Sequence, residues 1–295
     1  MKTKIKFSAV LVLALTTAAD QAQTFTTIKS FGDITNVTGF KPVSTLVMGS
    51  DGTLYGTTLH GGGSVAGTVF KMQPDGSGFA VLKWFTNSAE GANPYPGLVL
   101  SGATLYGTTA NGGASDFGTV FKVNTDGTGY AVLKSFSGGN DGAHPYFAAL
   151  TLSGSALYGA TYDGGSSNSG TLFTLNTDGT GFTTLHRFAA LNQGYYTNSY
   201  GDGVLYYTNS DGANPDMALT VSGSVLYGTT ENGGPASYGT VFTMNTDGTG
   251  YTVLHTFTNN PDGAYPDGGC YEIENTKRRN MGDFADFEEN RLAFG

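Results

Sequence analysis

The sequence predicts an all-β fold of β-propeller-like, four-stranded repeat units, each of about 51 residues. Three observations lead to this prediction. The composition combines 46 Gly and 13% aromatic residues with only 13% charged residues in a chain of 295, which favours short strands and tight turns over long helices or disorder. Short motifs recur at a fixed spacing. Turn-forming dipeptides divide each repeat into strand-sized segments.

Three motifs recur together and in the same order. Gly-Thr-(Val/Leu)-Phe begins 13 residues after each Leu-Tyr-Gly, and Asp-Gly-(Ser/Thr)-Gly begins 8 residues after that. The Leu-Tyr-Gly copies begin at Leu54, Leu105, Leu157 and Leu226, in steps of 51, 52 and 69 residues. Self-similarity of this kind indicates one supersecondary unit per repeat. We place the units at about residues 42–85, 94–136, 145–188 and 215–257.

Each unit contains four strand-like segments. In the second unit they cover residues 96–100, 104–109, 119–123 and 130–136. Ser101-Gly102 and Asp126-Gly127 form tight turns, whereas longer Gly-rich loops join the second strand to the third and one unit to the next. Apolar side chains occur on both strand faces, as expected of stacked blades, and four strands in this length are typical of a propeller blade. A β-sandwich and a flat β-solenoid are the alternatives.

The longer third step comes from an insert at residues 189–206. Two copies of Tyr-Tyr-Thr-Asn-Ser begin at Tyr195 and Tyr206, with Gly201-Asp202-Gly203 between them. This local echo around a turn signal predicts an extra hairpin.

The two ends differ from the repeat domain, which covers residues 23–267. Residues 1–22 have the layout of a signal peptide, with Lys2, Lys4 and Lys6 before a short apolar run, so we expect a secreted or cell-surface protein with no membrane span in the mature chain. Residues 268–295 form an atypical tail with ten charged residues among 28. We interpret this tail as an appendage or, preferably, as the product of a shifted reading frame. The single cysteine excludes an internal disulfide.

The repeated elements also carry a family resemblance. They are Leu105-Tyr106-Gly107-Thr108-Thr109, Asn111-Gly112-Gly113, Gly118-Thr119-Val120-Phe121-Lys122, Asp126-Gly127-Thr128, Leu133, Phe136 and Asp141-Gly142-Ala143-His144-Pro145. These units resemble the GloVer tandem repeat of exported bacterial proteins with varied C-terminal surface anchors. The resemblance implies export, surface association and a propeller-like fold. It implies no catalytic residues.

The repeats provide an internal control, because a residue present in every unit is most simply structural. His186 and His255 occupy the position of Lys29, Lys83 and Lys134 and are expected to form an exposed polar column. We align His60 with Ala110, Tyr162 and Glu231, and His144 with Asn93, Asn214 and Tyr265. No histidine has a fixed carboxylate or nucleophile beside it, so the sequence supports neither a Ser/His/Asp triad nor a metal motif.

Acidic residues recur directly before Gly-Ala-x-Pro, at Glu90, Asp141, Asp211 and Asp262. In a propeller they would form a ring of carboxylates at one rim, which makes them weak candidates for Ca²⁺ binding. The alternative is a local turn in which each side chain bonds nearby backbone. No other cofactor is expected.

The long loops share one rim of the predicted propeller, and loops on a rigid framework are where binding residues concentrate. The rim candidates are His60, Asn111, Asp116, Phe117, Asp163, Glu231, Tyr238, Tyr95, Tyr146 and Tyr265. Aromatic faces with Asn and Asp acceptors suit sugars, so we expect a non-enzymatic binding module for extracellular polysaccharide or a surface protein. Scattered Lys and Arg argue against nucleic acid. A propeller-fold polysaccharide hydrolase or lyase using rim carboxylates is the alternative, and a structural spacer is a third hypothesis.

Overall fold

A computed structural model describes residues 27–30, 38–86, 89–197, 203–258 and 262–266. The chain divides into two compact units, Met1–Ser30 and Phe31–Gly295. Of the first unit, residues 27–30 are described and form neither helix nor strand. The predicted signal peptide, the charged tail and Cys270 lie outside the described residues.

The second compact unit contains four antiparallel four-stranded sheets, one for each sequence repeat. Unit 1 comprises β1 (Val47–Met48), β2 (Leu54–Thr58), β3 (Thr68–Met72) and β4 (Ala80–Trp84). Unit 2 comprises β5 (Val99–Ser101), β6 (Thr104–Thr109), β7 (Thr119–Asn124) and β8 (Ala131–Ser135). Unit 3 comprises β9 (Thr151–Ser153), β10 (Ala156–Thr161), β11 (Thr171–Asn176) and β12 (Thr183–Arg187). Unit 4 comprises β15 (Thr220–Ser222), β16 (Val225–Thr230), β17 (Thr240–Asn245) and β18 (Thr252–Thr256).

Strands in each sheet follow one another in chain order, as in a propeller blade, and no helix occurs among the described residues. The predicted all-β, propeller-like fold of four-stranded units is therefore confirmed. The first strand of unit 2 is shorter than predicted, because Pro96 lacks the N–H that a ladder needs and Gly97 weakens a strand. The described residues accordingly contain no helix that is long and apolar enough to cross a membrane.

The Leu-Tyr-Gly motif positions the core of each unit. Gly107 pairs with Phe121 across β6 and β7, and a Cβ on Gly107 would lie 2.7 Å from the Phe121 ring. Glycine is needed there because Phe121, which is fully buried, occupies the space of a side chain. The same contact recurs at Gly159 and Gly228. The repeated glycine therefore serves packing.

The hydroxyls of the second and third strands hold the long-loop end of each sheet. In unit 2, the Oγ1 atoms of Thr109 and Thr119 lie 2.8 Å apart in the buried interior, and Thr109 donates to the carbonyl of Asn111. Because a buried hydroxyl must find a partner, this pair fixes where the strands end and the loop begins. Equivalent threonine pairs occur in the other three units.

The outer strands join consecutive units through a basic side chain and an aromatic ring. Lys83 lies 4.1 Å from the Tyr130 ring centroid, and Lys134 lies 4.4 Å from that of Phe182. His186 stacks on Tyr251 with centroids 3.9 Å apart. The prediction of an exposed polar column is wrong for these three residues, whose side chains are 15%, 22% and 19% exposed. The next unit covers them, which no single repeat reveals.

The insert forms a separate two-stranded hairpin, as its internal echo predicts. Its strands are β13 (Asn192–Thr197) and β14 (Gly203–Thr208), paired antiparallel. Gly194 pairs with Tyr206, whose ring occupies the position of a Cβ on Gly194. An aromatic ring packed over a strand glycine restores contact that the missing side chain would have made.

Candidate functional site

The long loop after the second strand is fastened to the segment that enters the same unit. Isolated bridges pair Phe40 with His60, Ala92 with Asn111, Ala143 with Asp163 and Ala213 with Asn232. His60 therefore corresponds to Asn111, Asp163 and Asn232, and the alignment of His60 with Ala110, Tyr162 and Glu231 is wrong by one residue. Each of these four residues lies six positions after the leucine of its Leu-Tyr-Gly motif, so the motif spacing already indicates the correct alignment.

The residue after this bridge has a fixed conformation in the segments that enter units 2, 3 and 4 and in the segment that follows unit 4. Asn93, His144, Asn214 and Tyr265 there have φ values of 57°, 51°, 56° and 51°. Each donates its N–H to the carbonyl of a loop residue of the preceding unit, and the bond from Tyr265 to Tyr238 measures 2.9 Å. The alignment of His144 with the other three residues is therefore confirmed, and the backbone geometry is independent of the side chain.

A cleft of about 760 Å³ lies between the insert hairpin and the long loop of unit 4. We call it the insert cleft. Its lining residues are Leu191, Leu205, Tyr206, Tyr207, Asn214, Asn232, Pro235, Ala236, Ser237, Tyr238 and Tyr265. Four tyrosines and two asparagines thus surround one cavity. Of the predicted rim residues, Tyr238 and Tyr265 line it.

A reciprocal pair of hydrogen bonds holds the hairpin against this loop. The N–H of Tyr207 donates to Ser237 Oγ at 3.0 Å, and that hydroxyl donates to the Tyr207 carbonyl at 2.6 Å. The equivalent residues Asp116 and Asn168 instead accept the N–H groups of Gly112 and Gly164 in their own loops. Asp116, a predicted ligand residue, therefore serves its own turn, whereas Ser237 fixes one wall of the cleft.

Two asparagine side chains contribute polar groups to the lining of the cleft. Asn214 donates from Nδ2 to the carbonyl of Tyr162 at 3.0 Å, and Asn232 donates from Nδ2 to Asn214 Oδ1 at 3.4 Å. Asn111 makes the equivalent contact with Asn93 in unit 2, at 3.1 Å. The pair Asn214–Asn232 was missed from sequence, although the recurrence of Asn at both positions was a usable signal.

The aromatic pair in the cleft has a counterpart in units 2 and 3. The rings of Tyr238 and Tyr265 meet edge to face at 5.5 Å, and those of Phe117 and His144 at 5.4 Å. Phe117, also a predicted ligand residue, packs against the core shared by units 2 and 3. Tyr265 is 50% exposed. Phe117 thus packs against the core, whereas Tyr238 and Tyr265 line the insert cleft.

A second aromatic group includes the predicted Tyr95 and Tyr146. Tyr95 meets Phe147 edge to face at 4.7 Å, and Tyr146 stacks on His144 at 5.2 Å. His60, another rim candidate, contacts Phe40 at 5.2 Å, and Asn93 lies 3.2 Å from its Nδ1. None of these residues lines the insert cleft. The predicted rim is therefore divided among several local environments.

The predicted Asp163 and Glu231 come together around Tyr162. The Tyr162 hydroxyl donates to Glu231 Oε2 at 2.7 Å. Burial raises the pKa of Tyr162, and the bond to Glu231 and the charges of Glu231 and Asp163 raise it further. Burial also raises the pKa of Asp163. A tyrosine with a raised pKa stays protonated and is a poor nucleophile, so the cluster does not activate Tyr162.

The four recurring acidic residues each contact the basic side chain of the preceding outer strand. The contacts are Lys83–Glu90 at 2.7 Å, Lys134–Asp141 at 2.6 Å, His186–Asp211 at 3.1 Å and His255–Asp262 at 3.0 Å. Asp141 and Asp262 also accept from the backbone N–H groups of Ser137 and Thr258, which is the turn alternative considered above. Within the described ranges, no three His, Cys, Asp or Glu side chains form a group that could hold a metal. The Ca²⁺ hypothesis is left without a converging ligand set there.

The chain was compared with known proteins. The model of the Gloeobacter/Verrucomicrobia repeat matches residues 11–206. No curated protein matches. Similar solved structures include the nidogen/laminin complex, at 16% identity over 76% of this chain and 82% of that chain with a TM-score of 0.40. A putative TolB from Agrobacterium tumefaciens is 10% identical over 70% of this chain and 63% of that chain, with a TM-score of 0.41. We draw no functional conclusion from these two structures.

Proposed function

The chain belongs to the Gloeobacter/Verrucomicrobia repeat family, and we propose that it is an exported, non-enzymatic binding protein that recognises polysaccharide in the insert cleft. The observation that carries the proposal is the convergence of four tyrosines and two asparagines on one cavity. The insert that creates this cavity occurs in one unit and is absent from the repeat pattern. Packing of the repeats does not require it.

The chemistry of the lining suits sugars. Aromatic faces stack on the apolar faces of sugar rings, and amide groups donate to and accept from hydroxyls. Tyr207 is 43% exposed and Tyr265 is 50% exposed, so both present ring surface to solvent. The cleft volume of about 760 Å³ falls within the range of about 300–1,000 Å³ typical of ligand sites.

Export is supported by the layout of residues 1–22, in which a Lys-rich start precedes a short apolar run. A protein outside the cell meets polysaccharide at high local density. Repeated units placed side by side also form a rigid framework on which one altered loop acts as a site. Fractionation of the producing cells, with N-terminal sequencing of the mature chain, tests this part of the proposal.

Glycan binding is tested by affinity electrophoresis across a panel of polysaccharides, followed by calorimetry on those that retard the protein. A Tyr238→Ala/Tyr265→Ala variant is expected to lose at least about tenfold in affinity, since hot-spot aromatics contribute more than 1.4 kcal/mol to binding. A Tyr95→Ala/Phe147→Ala variant removes the same number of rings from the other aromatic group and is the matched control.

Equal loss in both variants would contradict the assignment to the insert cleft. The absence of retardation on every glycan would contradict polysaccharide binding itself. Release of reducing ends that survives purification and disappears in a Glu231→Gln variant would identify a hydrolase instead.

A further inference from the structure

Among the residues that the structure describes, those lining the insert cleft include no charged side chain. The basic residues in the described part of the chain do not line this cleft. Lys83 and Lys134 lie on outer strands, paired with Glu90 and Asp141. Arg187 lies at the end of β12 and donates to the carbonyl of Asn140 at 2.9 Å. Within the described part of the chain, the lining therefore offers no cation that could neutralise a bound carboxylate or sulfate.

The charged side chains of the described residues that border the cleft are carboxylates. Glu231 directly precedes the lining residue Asn232, and its N–H donates to the Asn214 carbonyl at 3.1 Å. The Glu231 charge also contributes, after burial and Tyr238, to the raised pKa of Tyr265 inside the cleft. Asp163 and the buried Asp216 act on Tyr162, which bonds Glu231. His144 is the basic group whose charge acts on Asp163, and it lowers the pKa of that carboxyl less than burial raises it.

We infer that the insert cleft accepts uncharged sugars and amino sugars and rejects glycans that carry carboxylate or sulfate groups, with Glu231 as the residue that sets this preference. The inference rests on the proposed glycan-binding function. An anionic sugar would exchange water for an uncharged lining beside Glu231, and like charges brought together out of water repel strongly. A protonated amino sugar would gain attraction from the same carboxylate.

The test compares three oligosaccharides of equal length at pH 6 and low salt: N-acetylglucosamine oligomers, their deacetylated form and galacturonate oligomers. The galacturonate oligomer is expected to bind at least about tenfold more weakly than the neutral oligomer, and the deacetylated one about threefold more tightly. In 1 M salt, where the screening length falls to about 3 Å, the differences are expected to shrink.

Two variants locate the effect. Glu231→Gln is expected to bring the three affinities within about threefold of one another. Asp247→Asn makes the same change in net charge in the tight turn between β17 and β18, where Asp247 bonds Thr249. Because that turn lies at the opposite end of the sheet, this variant is expected to keep the discrimination.

The outcomes separate the two claims. If neutral oligomers bind in a Tyr238- and Tyr265-dependent manner but galacturonate binds equally well, the charge preference is contradicted and the proposed function stands. Unchanged discrimination in Glu231→Gln contradicts the role of Glu231. If none of the three binds and the broader glycan panel also fails, the proposed function falls, and the charge preference falls with it.

Discussion

Two equivalent aromatic pairs on the same rim have different surroundings. Phe117–His144 and Tyr238–Tyr265 have nearly equal ring separations, and in both pairs the second residue has positive φ and donates its N–H to the carbonyl of the first. Phe117 packs onto the core of units 2 and 3, whereas Tyr238 borders the insert cleft. The repeat therefore fixes the backbone, and a neighbouring insert changes what the side chains can do.

The comparison separates structural from available residues. Asp116 and Asn168 use their side chains to close their own loops, and Ser237 uses its hydroxyl to hold the hairpin. The side chain at this equivalent position therefore bonds within its own loop in units 2 and 3 and bonds the hairpin in unit 4. Variation between repeats, rather than recurrence, marks the candidate site.

Removal of the hairpin should have the largest effect. Deleting residues 190–207 joins Ala189 to Thr208 and leaves four residues between Phe188 and Asp211, as there are between Phe136 and Asp141. The deletion removes one wall of the cleft, so we expect glycan retardation to be lost. The β-sheet circular dichroism spectrum and cooperative melting should remain. Full binding by the deletion variant would show that the cleft is not the site.

Substitution of the paired aromatics should affect stability and binding in opposite ways. Phe117→Ala should lower the free energy of unfolding by about 2 kcal/mol, because Phe117 packs on a core, while leaving affinity unchanged. Tyr238→Ala should cost less than about 1 kcal/mol of stability and weaken binding. Urea unfolding and calorimetry measure both effects. Similar behaviour of the two variants would remove the distinction between the pairs.

The ion pair between Lys134 and Asp141 makes part of the free energy of unfolding depend on pH. Burial alone would raise the pKa of Asp141, but its bonds with Lys134 and Ser137 outweigh burial and lower this pKa below the 3.8 of an unperturbed aspartate. The carboxylate therefore stabilises the fold above pH 3.8, and this stabilisation is lost as the pH falls through the lowered native pKa. Asp141→Asn should cost about 1 kcal/mol at pH 7 and progressively less in acid.

The corresponding pair before Tyr265 provides the control for that pH dependence. The side chains of His255 and Asp262 are 48% and 26% exposed, compared with 22% and 17% for Lys134 and Asp141. Asp262→Asn should therefore have a smaller effect in urea unfolding at pH 7, because exposed pairs are screened by solvent. A larger effect from Asp262→Asn than from Asp141→Asn would contradict this ranking.

A further prediction concerns the two hydrogen bonds that hold the hairpin. Ser237→Ala removes both bonds to Tyr207 and should weaken glycan binding by about threefold to tenfold, since each neutral hydrogen bond contributes about 1 kcal/mol. Asn168→Ala removes the equivalent loop bond to Gly164 and should leave affinity intact. Calorimetry on the two variants distinguishes a held wall from a general loosening of the loops.

Much of the fold could be predicted because the relevant information is local. Asp126-Gly127 specifies a hairpin, and Gly107 is required by the ring of Phe121 on the next strand. Tyr238 and Tyr265 could also be predicted as rim residues, since their loops are long and variable. These positions depend on spacing within one repeat.

The remaining features depend on contacts between distant segments. Tyr206 and Tyr207 line the cleft because Ser237 forms hydrogen bonds with the hairpin at Tyr207. No local sequence pattern indicates against which loop a hairpin will pack. The prediction that Lys83 is exposed was wrong, because Tyr130 in the next unit covers its side chain. Tertiary packing decides both of these cases. The correct alignment of His60 with Asn111 and Asn232, in contrast, follows from the motif spacing, because each lies six residues after the leucine of Leu-Tyr-Gly.

The central claim is that the insert turns one repeat loop into a glycan-binding cleft. A crystal structure of the complex with a neutral oligosaccharide tests it most directly. The account predicts sugar rings against Tyr238 and Tyr265, with hydroxyls bonded to Asn214 or Asn232. A sugar bound at the Tyr95–Phe147 group, with the insert cleft empty, would contradict the claim.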